Sequence, residues 1–528
     1  MPGRPGCRVG LSVGRGKIVD RNGIPLTDNG KLLGKERQGR LSTASRRIYS
    51  EELLEFMCSG WAETSERNSV PAEQSVYTAK RRQALSAAFA GERLVIPAGI
   101  AKTRVNDTKY GFRPTSEYVF LTGDRTEGAV LVFEPNPAGG HDEQLYLLPR
   151  MSPDSSEFWL SGRGELEAGR RRSLTETAGE LGLAVEDIGR LPTDLTEAVT
   201  ARPGVPSRLL RGHDVVLDTL LAELEPDRRG PREVGKSIAA EQRDQELKAN
   251  LAAARLVKDV WEIDQLRRAC ESTMRGFDDV VAELDQAIAA GERWVEGTFW
   301  RRARVDGNDV GYTSVCAAGA HACSLHWVRN DGPIRLGELL LLDAGVETDT
   351  FYTADVTRTF PISGTFTELQ RKIYDAVHDA LEAAIAAVEP GARFRDYHEA
   401  AERTLAERLV EWGLLEGPAH RVLELGLSRR YTLHGAGHMI GLDVHDCSGA
   451  PREDYVDGVL KAGMVLTVEP GLYFQPDDLT VPEQYRGIGV RIEDDILVTE
   501  DGRENLTAAL PRSADEVENW VRSKRRKN

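Results

Sequence analysis

The sequence predicts a mixed α/β (α+β) chain built as two successive folded units. Three observations carry that expectation. At 528 residues the chain exceeds what a single core usually organises, taking roughly 150 residues per unit as a guide. From about Val76, short apolar runs bounded by turn residues alternate with a stretch of helical spacing. In the second half, long amphipathic helices are interleaved with β-branched, glycine-bounded strands.

Residues 1–75 read as an N-terminal extension. The first 47 carry eleven Lys/Arg against three Asp/Glu and sustain no apolar period, so they are expected to be disordered. No apolar stretch of about 7 to 15 residues follows that charge, so a cleaved secretory signal is not predicted. Residues 76–224 form the first unit: AKRRQALSAAF has helical spacing, and ERLVIPAG, FRPTSEYVFLTGD and GAVLVFEPNP read as strands. The charged, apolar-poor residues 225–253 read as a solvent-facing helical linker.

The second unit, 254–515, opens on a helix whose apolar positions are Leu256, Val260, Ile263, Leu266, Ala269 and Met274. A further helix carries Ile373, Val377, Leu381, Ile385 and Val388 and ends at Pro390-Gly391, and another runs from Arg395 to about Trp412. GELLLLDAGVETDTFYTADVTRTFPISG, GMVLTVEPGLYF and GIGVRIEDDILVTEDG are the strand segments, which gives a curved sheet backed by long helices. Residues 516–528, ending SKRRKN, read as a C-terminal tail.

Composition narrows the function classes. The formal charge of −16 opposes binding to nucleic acid or an anionic membrane, and no apolar run approaches the roughly 18 residues of a membrane span. Six scattered cysteines without CxxC pairs indicate neither a zinc ribbon nor a disulfide framework, which makes a reducing cytoplasm the expected location.

Chemistry is concentrated where carboxylates interrupt apolar strands, because a buried carboxylate needs a partner charge or a metal. Asp343 follows the run Leu339–Leu342, Asp355 lies in TADVTRT, Glu469 ends VLTVEP, and Glu493 lies in GVRIEDDILV. One such residue is most often a salt bridge; four together point to a cation. His434, His438 and His445 fall within twelve residues of a chain with ten histidines in all. Two His four apart suggest a helical zinc motif, but no Glu follows the first, and Gly435, Gly437 and Gly441 oppose a helix. Glycines there suit a backbone bending closely around a centre. An oxygen-rich set with one imidazole suits manganese or a similar divalent ion, and a charge of about −4 is enough for two such ions. Period-two alternation puts Arg491 on the same face as Glu493, where it would pair with a ligand carboxylate or a nearby acid.

LLLDAGVETDTFYTADVTRTFPISG, HGAGHMIGLDVHD, VLTVEPGLYF and GIGVRIEDDILVT, in that order, resemble the successive signatures of aminopeptidase P among the pita-bread metallopeptidases. FRPTSEYVFLTG resembles a segment of that family's creatinase-like N-terminal domain, so the resemblance covers about Val76 to Pro511. It implies a creatinase-like N-terminal domain followed by a pita-bread catalytic domain, and two Mn2+ ions, with Co2+ an alternative in vitro. Asp343 and Asp355 would ligate one ion, Asp355, His438 and Glu469 would contact the other, and Glu493 would bridge both. Glu469 would also accept a proton from the metal-bridging water as it attacks. His326, in SLHWVRNDG, and His445 would serve the tetrahedral intermediate and the leaving nitrogen. His434, Arg491 and, less closely matched, Tyr312 would support the ligands or the substrate. Trp327 stands where the family pattern has Tyr, which leaves a substrate contact open. The implied reaction removes the first residue from peptides with proline second, in a homo-oligomer, a dimer or a tetramer. A dipeptidase acting on Xaa-Pro (prolidase) shares the ligands, and a metal-free peptide-binding module of the same fold would lack some of them.

Overall fold

The computed structural model describes residues 50–62, 65–155, 158–159, 164–225, 228 and 234–525. The expected disorder of residues 1–47 and the last three residues of the basic tail fall outside that range. The chain divides between Leu247 and Lys248 into two compact units. Among the described residues, no helix is long and apolar enough to cross a membrane.

The first unit is organised by a 5-stranded sheet formed by β1 (Arg93–Pro97), β2 (Val130–Pro135), β3 (His141–Leu147), β4 (Ala184–Asp187) and β5 (Ser207–Leu209), in the order β4-β3-β2-β1-β5. Its central strands β1 and β2 pair antiparallel, and every residue of β1 is buried, as a strand covered on both faces must be. Val95, Val132, Leu209, Leu217 and Leu221 supply the apolar contacts on one side of that sheet. Residues 50–75, read as part of the extension, include helix α1 (Glu51–Met57), capped by the Ser50 side chain. Helix α2 (Ser75–Ala88) follows as expected.

FRPTSEYVFLTGD corrects the sequence reading, because Ser116–Thr122 is helix α3 rather than a strand. The apolar run YVFL misleads because all of it is buried, which erases helical periodicity. The deciding signals are at its ends: Thr115 accepts the Tyr118 N–H as N-cap, and Gly123 closes the helix at φ +69°. That left-handed conformation is what calls for glycine at Gly123.

The expected linker is helix α4 (Val234–Ala254), and it is not solvent-facing throughout. Ala240, Leu247 and Leu251 are buried, and Asp244 receives Arg228, Arg211 and the Leu209 N–H.

In the second unit, α5 (Val260–Ala282), α6 (Glu292–Asp306), α7 (Glu368–Ala387) and α8 (Phe394–Glu411) back four small antiparallel sheets, three of which carry the site. Those three are β8-β7-β6, from β6 (Val315–Ala318), β7 (Leu339–Ala344) and β8 (Val356–Pro361); β9-β12-β13, from β9 (Val465–Val468), β12 (Asp494–Thr499) and β13 (Gly502–Asn505); and β10-β11, from β10 (Gly471–Phe474) and β11 (Ile488–Arg491). Val260, read as part of an apolar helix face, is 72% exposed; the buried aromatic at that helix end is Trp261. GIGVRIEDDILV is likewise two strands, parted at Ile492-Glu493. Residues 516–528 are not a tail as a whole. Ala514–Lys524 is helix α9, opened by a Ser513–Glu516 capping box, and it buries Val517, Trp520 and Val521, with Trp520 edge-on to Phe360.

Candidate metal centre

The acidic residues gather where strands end or break. Asp343 lies next to the end of the buried strand β7, paired with Thr357 on β8 and Val315 on β6. Gly345 then passes so close to Ala354 that a Cβ would lie 1.7 Å from the Ala354 carbonyl oxygen. That approach brings Asp355, the residue before β8, beside Asp343. Glu493 sits in the break between β11 and β12. Its N–H donates to the Thr357 carbonyl at 3.0 Å, and the Thr357 hydroxyl donates back to Glu493 Oε2 at 2.7 Å. Glu469 occupies the short gap between β9 and β10.

The segment HGAGH is not helical, in keeping with its glycines. It runs along β9: Thr467 N–H donates to the His438 carbonyl at 2.8 Å, Glu469 N–H to the Ala436 carbonyl at 2.8 Å, and His438 N–H to Thr467 Oγ1 at 3.0 Å. A Cβ on Gly437 would lie 1.9 Å from the Thr467 carbonyl oxygen, so only glycine permits this approach. The loop thereby turns the His438 ring inward. Its Nδ1–H donates to the Met439 carbonyl at 3.1 Å, leaving Nε2 3.3 Å from Asp355 Oδ2 and 3.7 Å from Glu469 Oε1.

Asp343, Asp355, His438, Glu469 and Glu493 therefore share one centre, and donor atoms of Asp355, His438 and Glu493 lie within 4.8 Å of one another. Glu493 is 1% exposed at the floor, whereas the Glu469 side chain is 18% exposed at the mouth. The Tyr312 hydroxyl lies 2.7 Å from Asp343 Oδ1 and 2.5 Å from Asp355 Oδ1. Arg491 donates to Asp343 Oδ2 at 2.5 Å, to Thr357 Oγ1 at 3.1 Å and to the Tyr473 oxygen at 2.9 Å. Tyr473 in turn donates to His434 Nε2 at 2.8 Å, and His434 Nδ1–H donates to the Gly435 carbonyl at 2.7 Å. Each donor in this chain has one acceptor, which fixes the His434 tautomer.

Burial raises the Asp343 carboxyl above its usual range and pushes Glu469 up to about 7; burial, with Asp355 and Glu469 nearby, raises Glu493 well above the usual range. Burial opposes charge on His438, yet its hydrogen bond to Asp355 and the charges of Asp355 and Glu469 lift it to about 9. Burial lowers His434 to about 4 and, together with His438, lowers His445. Burial thus disfavours the charged forms of Asp343, Glu469 and Glu493, and a cation among them would restore those forms. Such a hard, oxygen-rich set fits divalent cations.

The other expected residues lie around this centre. The His445 ring stands edge-on to His438 with centroids 4.4 Å apart. His326 is exposed, within electrostatic reach of His434 and His445. Thr357 and Tyr473 were not read from the sequence, although strand alternation places Thr357 on the Asp355 face. His398, on α8, gave no sequence signal. Its Nδ1 accepts the Ala436 N–H at 2.8 Å and so pins the histidine loop from behind.

Burial lowers His398 to about 4, so the folded protein keeps it neutral. Below about 6.5 the unfolded chain takes up a proton that the folded chain refuses. Its contribution to stability is therefore full above that pH and is lost as pH falls towards 4. In His398→Asn, whose Oδ1 can accept the same N–H, denaturant midpoints measured from pH 7 to 4 are expected to fall less steeply than in the parent.

Residues 264–500 match the model of metallopeptidase family M24, and residues 78–198 match that of the aminopeptidase P N-terminal domain. Over 473 residues the chain is 62% identical to Xaa-Pro aminopeptidase 1 of Streptomyces coelicolor, taking in 89% of this chain and 92% of that protein. The chain belongs to metallopeptidase family M24. This M24 chain is also 33% identical to the Xaa-Pro aminopeptidase of Escherichia coli, across 83% of its own length and 96% of the relative's. Its fold agrees with a solved structure of aminopeptidase P from E. coli in a low-pH form: the TM-score is 0.75 at 31% identity, covering 88% of this chain and 100% of that one. The fold class read from the sequence therefore holds, an aminopeptidase P N-terminal domain followed by a pita-bread M24 domain.

Proposed function

We propose that this chain is a metal-dependent Xaa-Pro aminopeptidase, releasing the first residue from peptides whose second residue is proline. The carrying observation is the convergence of Asp343, Asp355, His438, Glu469 and Glu493 on one centre, in a chain 62% identical to a protein named Xaa-Pro aminopeptidase 1. The dipeptidase reading is not favoured, because the named relatives are aminopeptidases. A silent binding module is not favoured either, because all five donors are present.

Those five residues would hold two divalent ions, manganese being the proposed metal on the hardness of the donors. When bound, the metal supplies Lewis-acid activation of the attacking water and polarisation of the scissile carbonyl. Glu469, at the mouth and raised to about 7, accepts the proton of the attacking water. His326 and His445 are assigned to the developing oxyanion and the leaving proline nitrogen. Arg491, Tyr473 and His434 hold Asp343 and the mouth of the site in register, and Tyr312 steadies Asp343 and Asp355. A proline-linked amide offers no N–H, so recognition must act through shape and the free amino end.

The buried thiols Cys270, Cys316, Cys323 and Cys447 suit a reducing compartment, and we place the enzyme in the cytoplasm as a homo-oligomer. In the test, metal-depleted protein is given a proline-second tripeptide and an Xaa-Pro dipeptide, each with and without Mn2+. Release of the first residue from the tripeptide, only with metal, is the expected result. Cleavage of the dipeptide alone would identify a prolidase, and turnover in verified metal-free protein would exclude the mechanism.

A further inference from the structure

The loop that carries His326 is anchored on one buried carboxylate. Glu292, the first residue of α6, is 0% exposed, and its two oxygens meet four nitrogens. Oε1 accepts the Ala318 N–H at 2.8 Å and lies 2.7 Å from His321 Nδ1; Oε2 accepts the Trp327 indole N–H at 2.8 Å and the Gly332 N–H at 2.7 Å. These partners bracket residues 318–332, with His326 inside the bracket. The Glu292 N–H also donates to the Gly332 carbonyl at 3.0 Å, closing a ring between the helix start and the loop end. A Cβ at Gly332 would lie 2.3 Å from His321 Cε1, so a larger residue there would displace the His321 ring from Glu292.

Trp327 explains the departure from the family pattern. Its ring stacks on His321 with centroids 3.8 Å apart at 19°, and the Arg329 guanidinium stands over it at 4.4 Å. Two groups that near one ring cannot share a face, so both faces are covered and the N–H edge is bound. Little of the ring is left to meet a substrate. A tyrosine hydroxyl would reach a different point from an indole N–H, so the Glu292 anchor depends on tryptophan.

We propose that Glu292 and Trp327 are positioning residues for the reaction: the buried carboxylate holds the indole, and the indole fixes where the adjoining His326 stands, so that Trp327 is a strut rather than a wall of the substrate pocket. The proposal rests on the aminopeptidase reading in one respect, that His326 meets the substrate.

The test is a double-mutant cycle on the metal-loaded enzyme with a proline-second tripeptide and a longer proline-second peptide. Trp327→Phe keeps an aromatic ring and removes the N–H together with the five-membered ring that bears it. It is expected to lower kcat on the order of tenfold for both peptides, with bound metal unchanged and KM within about twofold, as misplacement of a substrate-facing group does. In a His326→Ala background the same change is expected to alter kcat less than about twofold, because the strut then has nothing to position. Glu292→Gln, which turns one oxygen into a donor facing donors, is expected to behave like Trp327→Phe with a larger loss; if it does not fold, the Trp327 cycle decides alone. Equal losses in both backgrounds, loss of metal, or a KM effect that differs between the peptides would overturn the strut. If the parent enzyme cleaves neither peptide, the functional reading fails instead, and the two failures are distinct.

Discussion

Bound metal is expected to fall from two ions towards one in His438→Ala, with activity lost alongside, whereas His445→Ala keeps both ions and turns over slowly. His438 is the only nitrogen donor among the five residues of the centre. Its Nε2 is directed at Asp355 and Glu469, and its Nδ1–H is spent on the Met439 carbonyl, so the ring is held in the tautomer a metal requires. Alanine removes that nitrogen. His445 contacts the His438 ring rather than the carboxylates, and burial together with His438 lowers its affinity for a proton. A neutral imidazole at that place suits hydrogen bonding to substrate, a contribution of about a hundredfold to a thousandfold in rate. Metal analysis and steady-state kinetics on both variants, normalised to folded protein, check the assignment. Equal metal loss in the two, or unimpaired turnover by His445→Ala, would show the roles to be wrong.

The largest loss of stability is expected at Arg358, a residue that touches no substrate. Its side chain and that of Asp494 are both 0% exposed, and the two are joined at 2.7 Å. The same guanidinium donates to the carbonyls of Thr357, Glu493, Leu510 and Pro511. It therefore ties β8, the ligand-bearing break at Glu493 and the segment leading to α9 into one body. Arg358→Met leaves the Glu493, Leu510 and Pro511 carbonyls without this donor in a dry interior, while the Thr357 carbonyl keeps the Glu493 N–H, at a cost of roughly 3 to 5 kcal/mol. Asp494 keeps Arg512 at 3.1 Å and the Thr507 hydroxyl at 2.7 Å, so most of that cost falls on the backbone carbonyls. A lower denaturant midpoint at unchanged slope is the expected measurement. A midpoint within error of the parent would show that water reaches these groups.

The legible parts of this protein are those where local chemistry leaves one solution. Apolar strands interrupted at Asp343, Glu469 and Glu493 announced a charged centre before any contact was known, because a lone carboxylate is too costly to bury. HGAGH could be read as a bend rather than a helix, since three glycines by Gly441 oppose helix and suit close approach; Gly437 against the Thr467 carbonyl is that approach. The helices α7 and α8 followed from spacing and from the Pro390-Gly391 stop.

Where burial is complete, periodicity disappears. YVFL in α3 read as a strand because both faces are covered, and its caps at Thr115 and Gly123 held the better information. The end of the chain read as a tail because its basic residues outweighed the spacing of Val517, Trp520 and Val521, the face that α9 buries.

By itself the sequence indicated the two-part fold and the acidic and histidine residues as candidates, since these depend on residue type and short-range order, while the reaction followed from the resemblance to aminopeptidase P. Only the tertiary structure decided what holds those residues still. His398 behind the histidine loop, Thr357 and Tyr473 between ligands and Arg491, Arg358 beneath Glu493, and Glu292 under the His326 loop are each brought to their partners from a different strand or helix. Their roles come from hydrogen-bond geometry across packed elements, and distance along a chain carries no record of that geometry.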